Sequence, residues 1–190
     1  MAAKPEDIDA YYLSLGRFTQ TWAQVEAILA VLLRLVSGVD QKVAPAIFSG
    51  TRADQAKNFV KRILAARGEE LDPVLKRAFD QFGTINSTRN DIVHYGAQFE
   101  EDEPIVSNYL AAHTPEALRR HSVPPKTLDA MNQDLGTIQA AVAYYLLKDS
   151  PSDVLPAREQ IRQIALAPWR YKSPQQPPRH QDSPETHQER

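Results

Sequence analysis

The 190-residue chain contains no cysteine. That removes disulfides, thiolate catalysis and cysteine-based zinc sites together, while leaving the redox compartment open. Nor is there an excess of either charge. The 22 lysines and arginines against 24 acids leave a net charge of −2, so any nucleic-acid footprint must be a local patch. Long hydrophobic runs are missing too: the longest, AILAVLL (Ala27 to Leu33), is flanked by Glu26 and Arg34 and is far too short to span a bilayer. The N-terminal MAAKPEDIDAYY lacks the basic-then-apolar run of a secretory signal, so the expectation is a cytoplasmic protein with no membrane association. The seven glycines are scattered singly and form no phosphate loop, and no Gly-flanked nucleophile elbow surrounds Ser87 and Thr88. No internal repeat is evident.

What is present is the composition of a globular domain, 42% hydrophobic and 24% charged, in a chain long enough for one domain and a tail. Apolar or aromatic residues at Ile8, Tyr11, Leu15, Phe18, Trp22, Val25, Leu29, Leu32 and Val36 step by three and four, a heptad-like stripe on one long helix. Pro5 with Glu6 and Asp7 opens it and Gly38 stops it. A seam of that length needs a long partner, within a bundle or across a dimer. QKVAPAIF predicts a turn or two of helix interrupted by Pro45. TRADQAKNFVKRILAARG predicts an amphipathic helix capped by Thr51 and ended by Gly68. The latter carries Arg52, Lys57, Lys61, Arg62 and Arg67 against the single acid Asp54. Its basic face is either a solvated surface or one that tracks RNA phosphates, with Arg52, Lys57, Lys61 and Arg62 as the binding candidates.

Asp72 and Pro73 predict the start of a fourth helix that runs to about Tyr95, before Gly96. AQFEEDEPIVSNYL reads as a loop or small hairpin, and TPEALRR as a short helix. After Pro124 and Pro125 a long helix carries Leu128, Met131, Leu135, Ile138, Val142 and Tyr145 at three-four spacing. Half of the 14 prolines fall beyond Ser150. The expectation is therefore an all-α fold of four to six helices over residues 1–149. A Pro-rich, largely disordered tail follows over 150–190, with a segment at 156–171 able to dock through Trp169 and Tyr171. PQQPPR in that tail suits either a partner's polyproline groove or a plain disordered end.

The fourth helix holds the chemistry. Its expected core stripe, Leu75, Ala78, Phe79, Phe82, Ile85, Ile92 and Val93, continues by spacing onto position 89, which is an arginine. A guanidinium in an apolar stripe must find an anion or a wet groove. His94 follows five residues later, about 140° around an ideal helix. The two side chains converge only if the helix loosens before Gly96 or a second copy lies alongside. Together they could clamp a phosphate and move a proton on or off a ribose hydroxyl. The alternative is structural: Arg89 paired with a carboxylate, and a histidine at a favourable helix C-terminus. Asp91 and His94 could both touch a metal, but no third ligand accompanies them, so no metal site is expected. His113 and His121 read as solvated loop residues, and Trp22 as core.

RNDIVH (Arg89 to His94) resembles the signature of HEPN domains: an arginine, a polar residue, and a histidine after four to six intervening positions. TWAQVEAILAVLLRLVSG resembles the first long helix of a HEPN-like group in which a tryptophan precedes a glutamate by four residues, as Trp22 and Glu26 do. The resemblance covers about Ile8 to Leu147. It implies an antiparallel all-α bundle that forms a homodimer with two motifs facing each other in a cleft. It further implies a ribonuclease needing no metal or other cofactor, of the kind used as toxins or in phage defence beside an antitoxin or defence partner. Arg89 would then bind the scissile phosphate, His94 act as general acid or base, Asn90 orient one of them, and Glu26 hold Arg89 or His94 from the first helix. Some members of the family have lost activity and serve as binding or dimerisation modules.

Overall fold

The structure, a computed structural model, describes residues 4–148 and 155–174. The expected disorder beyond 174, and all but the first residue of PQQPPR, lie outside the described residues. Local chemistry sets most helix boundaries. Helix α1 (Pro5–Ser37) begins on Pro5 with Glu6 and Asp7 in its first turn. It ends at Gly38, whose left-handed backbone (φ 69°) turns its N–H back to Leu35. The seam residues Tyr11, Phe18, Trp22, Val25, Leu29, Leu32 and Val36 are buried; Ile8 and Leu15 are half-buried, and Ser14 is buried beside Leu15. Helix α2 is one short stretch, Ala44–Phe48, with Pro45 accommodated in its first turn. Helix α3 (Ala53–Ala66) starts later than the sequence suggests. Thr51 donates its own N–H to Phe48 in the preceding turn, so Arg52 takes the cap position and donates its N–H to the Gln55 side chain at 3.2 Å.

Helix α4 (Pro73–Tyr95) is capped by Asp72, whose carboxylate accepts from the N–H groups of Val74 (2.8 Å) and Leu75 (3.2 Å). The chain beyond Gly96 forms a small antiparallel sheet in the order β1 (Ala97–Glu100), β2 (Glu103–Ser107), β3 (Arg120–Ser122). The β1–β2 hairpin turns on Glu101 and Asp102, both at positive φ, the two-residue geometry that matches strand twist. TPEALRR yields only a 3-10 turn at Pro115–Ala117 before entering β3. Asn108, nearly buried, closes the loop between β2 and β3 by accepting from the Arg119 N–H (2.6 Å) and donating to the Ala117 carbonyl (3.0 Å).

Helix α5 (Pro125–Leu146) buries Leu128, Met131, Leu135, Ile138, Val142 and Tyr145. It packs against α1, α4 and α6 (Leu155–Ala165), while α1 also packs on α3. Among the described residues the fold is thus a six-helix bundle with a three-stranded appendage. Each large core side chain contributes roughly 1.5–3 kcal/mol by leaving water. The residues after α6 run as a strap across α4 and α5. Asp134 on α5, 1% exposed, accepts from the backbone N–H groups of Arg170 (2.9 Å) and Tyr171 (3.0 Å) and from the Gln81 amide (2.7 Å). Arg77 donates to the carbonyls of Ala165 and Ala167 and lies 4.2 Å from the Trp169 ring centre.

Candidate functional site

The buried face of α4 does not run straight. Its first half buries Leu75, Ala78, Phe79, Gln81 and Phe82; its second half buries Ile85, Thr88, Asp91 and Ile92. On an ideal helix the centre of that face swings by about 100° between the two halves. The swing follows the change of neighbours, from Trp22 of α1 and Lys57 of α3 beside Phe82 to the strap's Tyr171 beside Thr88 and β2 against the helix. It corrects two sequence expectations. Val93 is 58% exposed instead of buried, and Arg89 lies half-buried at the edge of the apolar stripe instead of at its centre.

At that edge the Arg89 guanidinium stands 5.3 Å from the centre of the Trp22 ring, which itself stacks on Phe82 at 4.9 Å. The guanidinium donates to the Asn90 side-chain oxygen at 3.2 Å. Among the described residues no carboxylate lies within ion-pair distance of it. Glu26, half-buried one turn beyond Trp22 on α1, likewise forms no ion pair with Arg89 or His94. Trp22 is core, 4% exposed, but it is also the platform on which Arg89 rests, and its indole N–H has no hydrogen-bond partner among the described residues.

His94 is exposed in the last turn of α4, with no ion-pair partner among the described residues and its ring 6.4 Å from that of Tyr95. With about 140° between them on the helix, Arg89 and His94 of one chain face different directions. Two shallow grooves lie elsewhere. One of about 480 Å³ runs past Tyr12, Gly16 and Asn132, and another of about 410 Å³ lies beside Arg77 and Trp169. Neither includes Arg89 or His94.

Asp91, between the two, has a structural task that sequence reasoning missed. It is buried, and its carboxylate accepts from the Arg119 guanidinium at 2.7 Å, tying α4 to the strand β3. No spacing rule connects positions 28 apart across an irregular loop, so no sequence signal marked Arg119. His121, expected in solvent, is half-buried in the same cluster, and its Nε2 has no partner among the described residues. Burial pushes this histidine below its ordinary value; the Asp91 carboxylate opposes that shift and the Arg119 guanidinium adds to it. On the other side of Asp91, the Thr88 and Tyr171 hydroxyls share a 2.5 Å hydrogen bond, which pins the strap next to Arg89. Burial raises the Tyr171 phenol, against the hydrogen bonds from Thr88 and Ser173.

The basic helix α3 divides on inspection. Arg52 pairs with Asp54 at 3.7 Å and Lys61 with Asp80 at 3.9 Å, while Arg62 lies 6.0 Å from the Phe59 ring centre. Lys57 has no ion pair among the described residues. Those residues also contain no group of three His, Cys, Asp or Glu side chains arranged to hold a metal ion, and no helix long and apolar enough to cross a membrane. Compared with family models, curated proteins and solved structures, the chain has no match.

Proposed function

We propose that the chain is a metal-independent endoribonuclease of HEPN type that works as a homodimer, with Arg89 and His94 as its catalytic residues. The observation that carries this reading is Arg89 itself. It is a half-buried guanidinium propped on a tryptophan, bonded among the described residues only to a neutral amide, and accessible to solvent five residues from an exposed histidine. A permanently charged group left without an anion at the edge of a core suits a ligand phosphate. A two-fold axis beside the C-terminal half of α4 would bring Arg89 of one protomer towards His94 of the other, which overcomes their divergence within one chain.

The reaction needs nothing more. A histidine removes the proton from a ribose 2′-OH, and the 2′ oxygen attacks the adjacent phosphorus. The bond to the 5′ oxygen breaks, and that oxygen receives a proton from the second histidine. The products are a 2′,3′-cyclic phosphate and a free 5′-OH. Arg89 neutralises the phosphate as charge builds on it, and Asn90 holds the guanidinium in place. Such an enzyme would serve as a toxin or a phage-defence effector, held in check by an antitoxin or a defence partner.

The test is incubation of the purified protein with single-stranded RNA and excess chelator. Cyclic-phosphate ends are expected, with a loss of roughly 10²- to 10⁴-fold in Arg89→Ala and in His94→Ala. Cleavage untouched by both substitutions rejects these residues. A second reading is favoured by the divergence of the two side chains in the single chain: a non-catalytic module that binds RNA, a nucleotide or a partner protein at Arg89. It is distinguished by ligand binding that weakens in Arg89→Ala while the wild type turns nothing over.

A further inference from the structure

Three features converge on Lys57. Its Nζ lies 5.7 Å from the Phe82 ring centre, and Phe82 carries the Trp22 ring on which Arg89 rests. Two cations from different helices, α3 and α4, therefore flank a single aromatic stack, separated by no more than about two or three nucleotides of extended strand. Next to it, Gly83 leaves the ammonium uncovered: a Cβ there would sit 3.6 Å from Nζ in ordinary contact, so any longer side chain would begin to shield it. Finally, the other candidate cations of α3 are already engaged. Arg52 and Lys61 have carboxylates, Arg67 donates to the Ser37 carbonyl at 3.1 Å, and Arg62 faces Phe59.

We infer that Lys57 and Arg89 form a phosphate track for single-stranded RNA, in which Lys57 holds a backbone phosphate within about two or three nucleotides of the one gripped by Arg89. This rests on the reading of Arg89 as a phosphate ligand. Burial holds Lys57 below the usual lysine value, assisted by Lys61 and opposed by Asp54 and Asp80. An ammonium already stripped of part of its water gains more from an anion than a fully solvated one does. The track reads phosphates and not bases, since Trp22 and Phe82 are buried against each other and offer no open face for stacking.

The experiment measures binding of a fluorescein-labelled 2′-O-methyl oligouridine, which lacks the attacking hydroxyl, across a salt series. Lys57→Gln is expected to weaken binding several-fold at low salt. It should also flatten the slope of log affinity against log salt by about 0.7, the loss of one single-strand phosphate contact. Gly83→Leu, which keeps the charge but covers it, should weaken binding in the same direction, whereas Arg162→Gln, on α6 and paired with Glu159 at 3.2 Å, should change neither quantity. If Lys57→Gln binds like wild type while Arg89→Gln does not, the track is wrong and the Arg89 reading stands. Equal losses in Lys57→Gln and Arg162→Gln mean diffuse attraction and also overturn the track. If the wild type does not bind the probe at all, track and RNA reading fall together.

Discussion

Asp134 is where the structure commits itself most sharply, and Asp134→Ala is the perturbation to make. Its carboxylate serves three donors: the backbone N–H groups of Arg170 and Tyr171 and the side-chain amide of Gln81. If the strap stays docked in the variant, two buried donors, the Tyr171 N–H and the Gln81 amide, lose this acceptor at about 1–3 kcal/mol each, and the part-buried Arg170 N–H loses it at a smaller cost. Part of this is offset because a costly buried charge disappears. If the strap lifts instead, its N–H groups regain water, but Tyr171 leaves the core and Trp169 leaves Arg77. At roughly 2 kcal/mol for a large side chain, that route costs about 3–4 kcal/mol. The chain takes the cheaper route, so the loss should be about 3 kcal/mol with the strap released. Asp134→Asn tests the reason. It keeps the size, but its single oxygen cannot serve three donors and its new amide would face some of them, so it should not rescue. Urea unfolding gives the total, and hydrogen exchange at the Arg170 and Tyr171 amides reports the strap. Protected amides with a loss below about 1 kcal/mol would refute the clamp and the reasoning behind it.

Arg119→Ala strands the buried Asp91 carboxylate and should cost about 1–3 kcal/mol, below the range for a fully buried pair because the Arg119 side chain is 41% exposed. A urea midpoint unchanged from wild type would remove the ion pair from the account of how β3 is held. The same substitution deletes a positive charge beside His121 and leaves Asp91 unpaired, so His121 should titrate at higher pH than in the wild type by NMR; a downward move would contradict the assigned cause. In the wild type the folded state depresses His121, so its contribution to stability is complete above the unfolded histidine value of about 6.5 and is lost as pH falls through the folded value. His121→Gln should flatten the acid side of the stability curve below about pH 6.5, and an identical curve in both proteins would exclude this histidine as its source.

Where local chemistry decides, the sequence was informative. Asp72 and Pro73 open α4 because a carboxylate accepts orphan N–H groups and proline needs none, and Gly96 closes it with a φ of 67°. The seams of α1 and α5 were visible because each faces one set of neighbours along its length, so a constant spacing survives. The small sheet was less visible. Its turn uses Glu101 and Asp102 at positive φ where a glycine would have announced it, and its third strand is only Arg120–Ser122. Arg119 with Asp91, and Asp134 with the strap, were invisible because each joins distant segments whose register only the folded chain defines.

The swing of the buried face on α4 explains why spacing singles out Arg89 while its surroundings could not be read from the sequence. Constant spacing carries Arg89 to the middle of the stripe, and a guanidinium there would require a buried carboxylate to be tolerated. The carboxylate nearby in sequence, Asp91, is instead taken by Arg119 on the face towards which the helix turns. Arg89 is left at the margin, on Trp22 and beside Asn90, supported on its carbon face and unneutralised in charge. A change of packing partners partway along one helix thus separates a structural ion pair from a cation two residues away that has no ion pair among the described residues. That separation leaves the Arg89 guanidinium without a carboxylate among the described residues, and it follows from tertiary contacts that no periodicity in α4 alone contains.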